Sequence, residues 1–156
     1  MLHGTHARRS YAIGRFLCIG AILAAGCSSG DSNAEAETKF RDASEQLVTL
    51  NDDIQDAASG SGDADLARRT LTRYVPTIRT LAHTLDDLAP KISGKRKDPA
   101  RKQAAAALAL AAAYTSFQSA LTIDDTEAMT RASAAVGRAA DDIAAATEAW
   151  NEAGSS

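Results

Sequence analysis

Between Phe40 and Trp150, apolar residues recur at alternating spacings of three and four, and this periodicity constrains the fold more than any other feature. One stripe runs Phe40, Ala43, Leu47, Leu50, Ile54, Ala57, and a second Leu71, Tyr74, Ile78, Leu81, Leu85, Leu88. The third, richer in alanine, is Ala107, Leu110, Tyr114, Phe117, Leu121. The fourth is Met129, Ala132, Val136, Ala139, Ile143, Ala146, Trp150. Such spacing keeps one face of a helix apolar, and that face has to be covered by another helix. No segment alternates with the period of two that marks a half-buried strand. Four stripes in about 120 residues predict an all-α, up-down-up-down four-helix bundle spanning 34–153.

Start and stop signals divide this stretch into helices at about 34–58, 63–89, 99–122 and 125–152. Ser32-Asn33-Ala34-Glu35 and Asp124-Asp125-Thr126-Glu127 each place glutamate three residues after a capping side chain, which satisfies free amide groups at a helix start. Ser59-Gly60-Ser61-Gly62-Asp63 is a flexible break, and Pro90 and Gly94 close the second helix. Asp98-Pro99 reads as a cap followed by proline at the first helical position, where the missing amide hydrogen costs nothing. Pro76 falls inside the second stripe without changing its phase, so a kinked but unbroken helix is expected, at a cost of about 3 kcal/mol. Runs such as Gln103-Ala104-Ala105-Ala106-Ala107 favour helix and let neighbours approach closely. They predict a tight core without a ligand-sized void. Asp52-Asp53-Ile54 and Asp141-Asp142-Ile143 look alike, but no internal repeat extends from them.

Upstream of the stripes the chain changes character. Arg8, Arg9 and Arg15 precede an uncharged run, Phe16 to Ala25, which is followed by small residues and a cysteine, Leu23-Ala24-Ala25-Gly26-Cys27. A basic lead, a short apolar core and a small-residue cut site describe an export signal. At about ten residues the apolar run is half the length a membrane-spanning helix needs. The whole resembles the lipobox signal of bacterial lipoproteins, with Ala24 where leucine is usual and Leu23 one place earlier. That resemblance implies removal of residues 1–26, attachment of a diacylglycerol to Cys27, and a domain tied to the extracytoplasmic face of the cell membrane. Residues 27–33 then form a lipidated polar tether. An ordinary secretory signal is the rival, since Ala24-Ala25-Gly26 also suits a conventional peptidase. Arg8-Arg9-Ser10-Tyr11 partly matches a twin-arginine export motif, with Ala7 and Ala12 departing from it, and both export routes stay open.

Removing residues 1–26 from the 156 leaves 130, enough for one domain with one core. All 20 acidic residues lie in that part, whereas three of the 17 basic ones leave with the signal, so 14 face 20 and the net charge is −6. That balance opposes general nucleic-acid binding. Cys18 goes with the signal and Cys27 carries lipid, so no pair of cysteines remains for a disulfide.

The remaining chain offers little catalytic chemistry. A nucleophile needs a base held against it, and His83, two places before Leu85 and on the outward face, is the single histidine after residue 26. One histidine does not supply a metal centre built from several convergent ligands. The adjacent pairs Asp52-Asp53, Asp86-Asp87 and Asp141-Asp142 lie beside or opposite the apolar faces, and Asp124-Asp125 is explained by capping. Their spacing matches no calcium loop.

Charge and topology suggest a polarity. A chain that runs up and down brings the connection carrying Lys91, Lys95, Arg96, Lys97, Arg101 and Lys102 back to the end where the tether begins. These side chains become candidates for contact with an anionic surface. The opposite end carries Asp52, Asp53, Asp56, Asp63, Asp65, Asp124, Asp125 and Glu127, a candidate surface for a basic partner. The expected function is non-enzymatic: a lipid-tethered protein, without a cofactor, nucleic acid or evident small-molecule substrate, that binds another envelope component. The alternative is a helical module for a small ligand or cation, and an enzyme ranks last.

Overall fold

A computed structural model describes residues 32–59 and 64–155, without the side chains of Ala58, Ser59 and Ala64. The segment expected to act as an export signal, Cys27 and Asp63 lie outside the described residues. Asp31–Ser156 form a compact unit in their own right. The described residues build four α-helices, α1 (Asn33–Ser59), α2 (Ala64–Leu88), α3 (Lys97–Thr122) and α4 (Thr126–Gly154), and no strand. Two 3-10 turns, Ala89–Lys91 and Gly94–Arg96, link α2 to α3.

The helix ends follow local chemistry, with shifts of one or two residues from expectation. Ser32 caps α1, accepting the Glu35 amide on its Oγ at 3.4 Å and on its carbonyl at 3.0 Å. Asn33, counted with the tether on sequence, opens the helix instead. The cap of α4 is Asp125, whose carboxylate accepts the Ala128 amide at 2.9 Å. Asp124 takes a left-handed conformation (φ 53°), which aspartate tolerates, and the chain reverses within three residues. Asp98 is no cap: α3 grows out of the preceding 3-10 turn at Lys97, and Asp98 and Pro99 sit inside its first turn. Proline is tolerated there because first-turn amides have no intrahelical acceptor. Helix α2 runs unbroken through Pro76.

Antiparallel alternation is visible at both ends. Asn33 at the start of α1 meets Ser93 beyond α2, while Arg68 near the start of α2 reaches the carbonyl of Leu121 at the end of α3. The core is filled by Phe40, Leu47, Ile78, Leu85 and Leu110, all fully buried. The fourth stripe is buried from Ala132 to Trp150 as its spacing predicts. On α2 the buried face is centred on Leu71, Val75, Ile78, Ala82 and Leu85, and the larger Tyr74 and Leu81 lie at its edge. Residue size does not set the rotational phase of a helix. The covered face does, and α2 is covered by α1 and α3 together. Phe117 is likewise only partly buried.

Backbones approach closely between α1 and α2, α2 and α3, and α3 and α4. The alanines of α3 and α4 make their shared seam the tightest. By length and composition Gly94–Thr122 could cross a membrane, but half of its apolar window is buried inside the bundle, as suits a core helix. The fourth seam, between α1 and α4, is bridged where Phe40 and Trp150 stack with ring centres 5.1 Å apart, and it lies open beyond them.

Candidate functional site

That open seam is a groove of about 930 Å³. Its floor is apolar, formed by the buried side chains of Leu47, Leu110 and Ile143. Val48 on the α1 side is 38 % exposed, one of two large apolar side chains so placed among the described residues. The α4 side is low, made of Gly137, Ala140 and Ala144, which are too short to reach across to α1. Carboxylates stand along the edges: Asp52 on α1, and Asp141, Glu148 and Glu152 on α4. No lysine or arginine lines the groove. This groove lies on the surface, above a floor of buried side chains, and so leaves the expectation of a tight core untouched. Alanine closes the α3–α4 seam but leaves α4 with too little reach to close the last one. Deeper between the helices, Ile54, Leu71, Tyr114, Phe117 and Val136 surround a pocket of about 100 Å³, small for an organic ligand.

Two buried polar ties hold the floor in place. Gln103, 2 % exposed, donates its amide hydrogens to Ser44 of α1 and, at 2.9 Å, to Thr147 of α4. It spans the seam from below. Further along, the Tyr114 hydroxyl donates to the buried Asn51 Oδ1 at 2.8 Å. Burial pushes the Tyr114 pKa up to about 12, and the nearby Asp52 carboxylate adds to the shift. Ser44, Asn51 and Gln103 fall on core faces but are polar, so apolar periodicity alone passes over them.

The basic connection divides into two groups. Lys91, Lys95, Lys97, Arg101 and Lys102 are exposed. Arg96 is not available in the same way, because it works as a clasp. Its guanidinium donates to Glu37 Oε2 at 2.6 Å and lies 4.9 Å from the Trp150 ring centre. Its Nε is buried without a hydrogen-bond partner, and a side chain at Gly154 would run into its Nη2. Glu37 also accepts from Asn33 Nδ2 at 2.7 Å, and Asn33 Oδ1 accepts the Ser93 amide at 2.8 Å. The network joins the start of α1, the α2–α3 connection and the end of α4 at one end of the bundle. Arg96 thus leaves the group of candidate surface contacts, since a run of charges does not tell which member turns inward.

The acidic end is partly neutralised. Arg68 bonds Asp65 at 2.9 Å and approaches Asp124 at 3.9 Å, Arg131 pairs with Glu127, and Asp125 is occupied as the α4 cap. Asp53 and Asp56 are exposed near this end, whereas Asp52 belongs to the groove. His83 is exposed, as its position predicts. Among the described residues, no group of three or more histidine, cysteine, aspartate or glutamate side chains is placed to hold a metal ion.

No protein family, curated protein or solved structure matches this chain.

Proposed function

We propose that this chain is a lipid-tethered, extracytoplasmic helical protein that acts without catalysis, by binding another component of the cell envelope through its surface. The open α1–α4 seam carries the reading. In a bundle whose other seams are packed, it leaves Val48 exposed beside Gly137, Ala140 and Ala144, a surface that a partner can cover. The lipobox resemblance supplies the tether, with Cys27 as the lipidated residue and a diacylglycerol as its only attached group. The clasp around Arg96 supports the orientation: it gathers the start of α1 and the exposed Lys95, Lys97, Arg101 and Lys102 at one end. Those cations face anionic headgroups in this reading, each contributing about 1 kcal/mol near the surface before screening. The groove runs along the side of the bundle and in this reading opens sideways rather than onto the membrane.

Membrane fractionation and site-specific crosslinking test this together. The wild-type chain is expected in the membrane fraction and Cys27→Ser unprocessed at that site, since two acyl chains give lasting attachment. A photo-reactive residue at Val48 is expected to capture a discrete envelope protein that the same residue at exposed His83 does not. Unmodified mature protein free in the medium, or identical capture from both positions, overturns the proposal. The space in the groove also keeps the small-ligand reading in play, and a cationic ligand would suit its edges. Retention of a small molecule through purification, with no protein captured from Val48, would favour that alternative.

A further inference from the structure

The groove also specifies what kind of partner fits. We propose that it is the docking site of a basic amphipathic helix from another protein. This rests on the surface-binding reading above and adds the chemistry of the occupant.

Charge selects the sign. Asp52 faces the groove from α1, and Asp141, Glu148 and Glu152 face it from α4, with no basic side chain among the lining residues. An anionic bilayer is repelled by such edges, and a cationic partner is attracted. Asp141 and Glu148 are two helical turns apart on one face, about 10 Å, so basic residues two turns apart on a facing helix meet both.

Backbone chemistry selects the helix. The amide and carbonyl groups of α1 and α4 are used within their own helices, so an extended segment in the groove would find no backbone partners along its length. A helix satisfies its own backbone and needs only an apolar face to lay on Val48, Ala140 and Ala144. From Gly137 to Glu152 the α4 wall runs about 22 Å, the length of roughly 15 helical residues.

Gly137 gives independent support. It lies in the interior of α4, where glycine disfavours the helix, yet a Cβ there would meet nothing within 4 Å. Nothing inside the described chain requires a glycine at that point. A helix seated in the groove would use it, because Gly137, Ala140 and Ala144 form a low strip on which a second backbone can come close. Groove-to-groove pairing of two copies of this chain would instead set like charges against each other.

The test uses the lipid-free domain, residues 28–156, and three labelled 18-residue peptides. One is a leucine/lysine amphipathic helix, one its leucine/glutamate counterpart, and one the leucine/lysine composition in scrambled order. The expected result is that only the first binds, gains helicity on binding and weakens with added salt. Gly137→Leu and the pair Asp141→Lys with Glu148→Lys should each reduce its affinity about tenfold or more. Leucine is a better helix former than glycine, so Gly137→Leu keeps α4 intact, and a thermal melt verifies this. Equal binding of the scrambled peptide, no binding of the ordered one at low salt, or an affinity unmoved by these variants overturns the proposal. Self-association of the domain that Gly137→Leu abolishes also overturns it, in favour of a second copy. The domain lacks Cys27, so failure here leaves the tether reading intact, and failed membrane fractionation leaves the groove intact.

Discussion

Tyr114 donates its hydroxyl hydrogen to Asn51 inside the bundle, and its proton is held up to about pH 12 rather than the ordinary 10.0. Burial is the main cause, because it disfavours the phenolate, and the Asp52 carboxylate opposes the same charge. The unfolded chain releases this proton near pH 10 and the folded chain near 12, so the folded state binds it more tightly across that window. Stability from this residue is fully present below pH 10 and is lost as pH rises from 10 to about 12. Denaturant titrations through that range should show a fall for wild type that is smaller in Tyr114→Phe. At neutral pH the same variant should cost about 1–3 kcal/mol, because Asn51 Oδ1 is left buried without its donor. Tyr114 could be assigned to the core from its stripe. Its partner could not, because Asn51 gives no apolar signal and is brought into reach only when α1 packs beside α3.

At the scale of the helix, caps and interior glycines decide local stability independently of the core. Asp125→Ala removes the acceptor of the Ala128 amide and should destabilise by about 1 kcal/mol. Gly137→Ala should do the reverse, stabilising by about 0.5–1 kcal/mol, since alanine costs less in a helix and the new Cβ meets open space. Urea unfolding followed by circular dichroism measures both. A destabilising Gly137→Ala would mean that α4 is already covered there. The ends of α1 and α4 were legible within a residue or two because capping is local chemistry. The start of α3 was displaced because the Gly94–Arg96 turn feeds directly into helix, and a proline accepted anywhere in a first turn does not mark which residue begins it.

Across the whole molecule, the clasp and the exposed cations of one connection should separate in experiment. Lys95→Gln with Lys97→Gln should weaken binding of residues 28–156 to anionic vesicles at low salt and leave the melting temperature almost unchanged, because both side chains are exposed. Arg96→Gln should lower the melting temperature, because it removes the Glu37 bond and the contact with Trp150. Vesicle co-sedimentation and calorimetry read the two effects. Vesicle binding that is unaltered by the lysine changes would leave those side chains with no role at a membrane.

Periodicity determined the fold class on its own. A face repeating every 3.6 residues has to be buried, four such faces bury one another in a bundle, and short connections make neighbours antiparallel. Residue identity determined the caps and the tether resemblance for the same reason, since each depends on groups close in the chain. Tertiary structure alone decided which seam stays open, which of six cations turns inward, and which polar residues meet in the core. Those outcomes depend on the distance between helices that are remote in sequence. That distance is set jointly by Phe40 and Trp150 at one end and by the small residues of α4 along the rest.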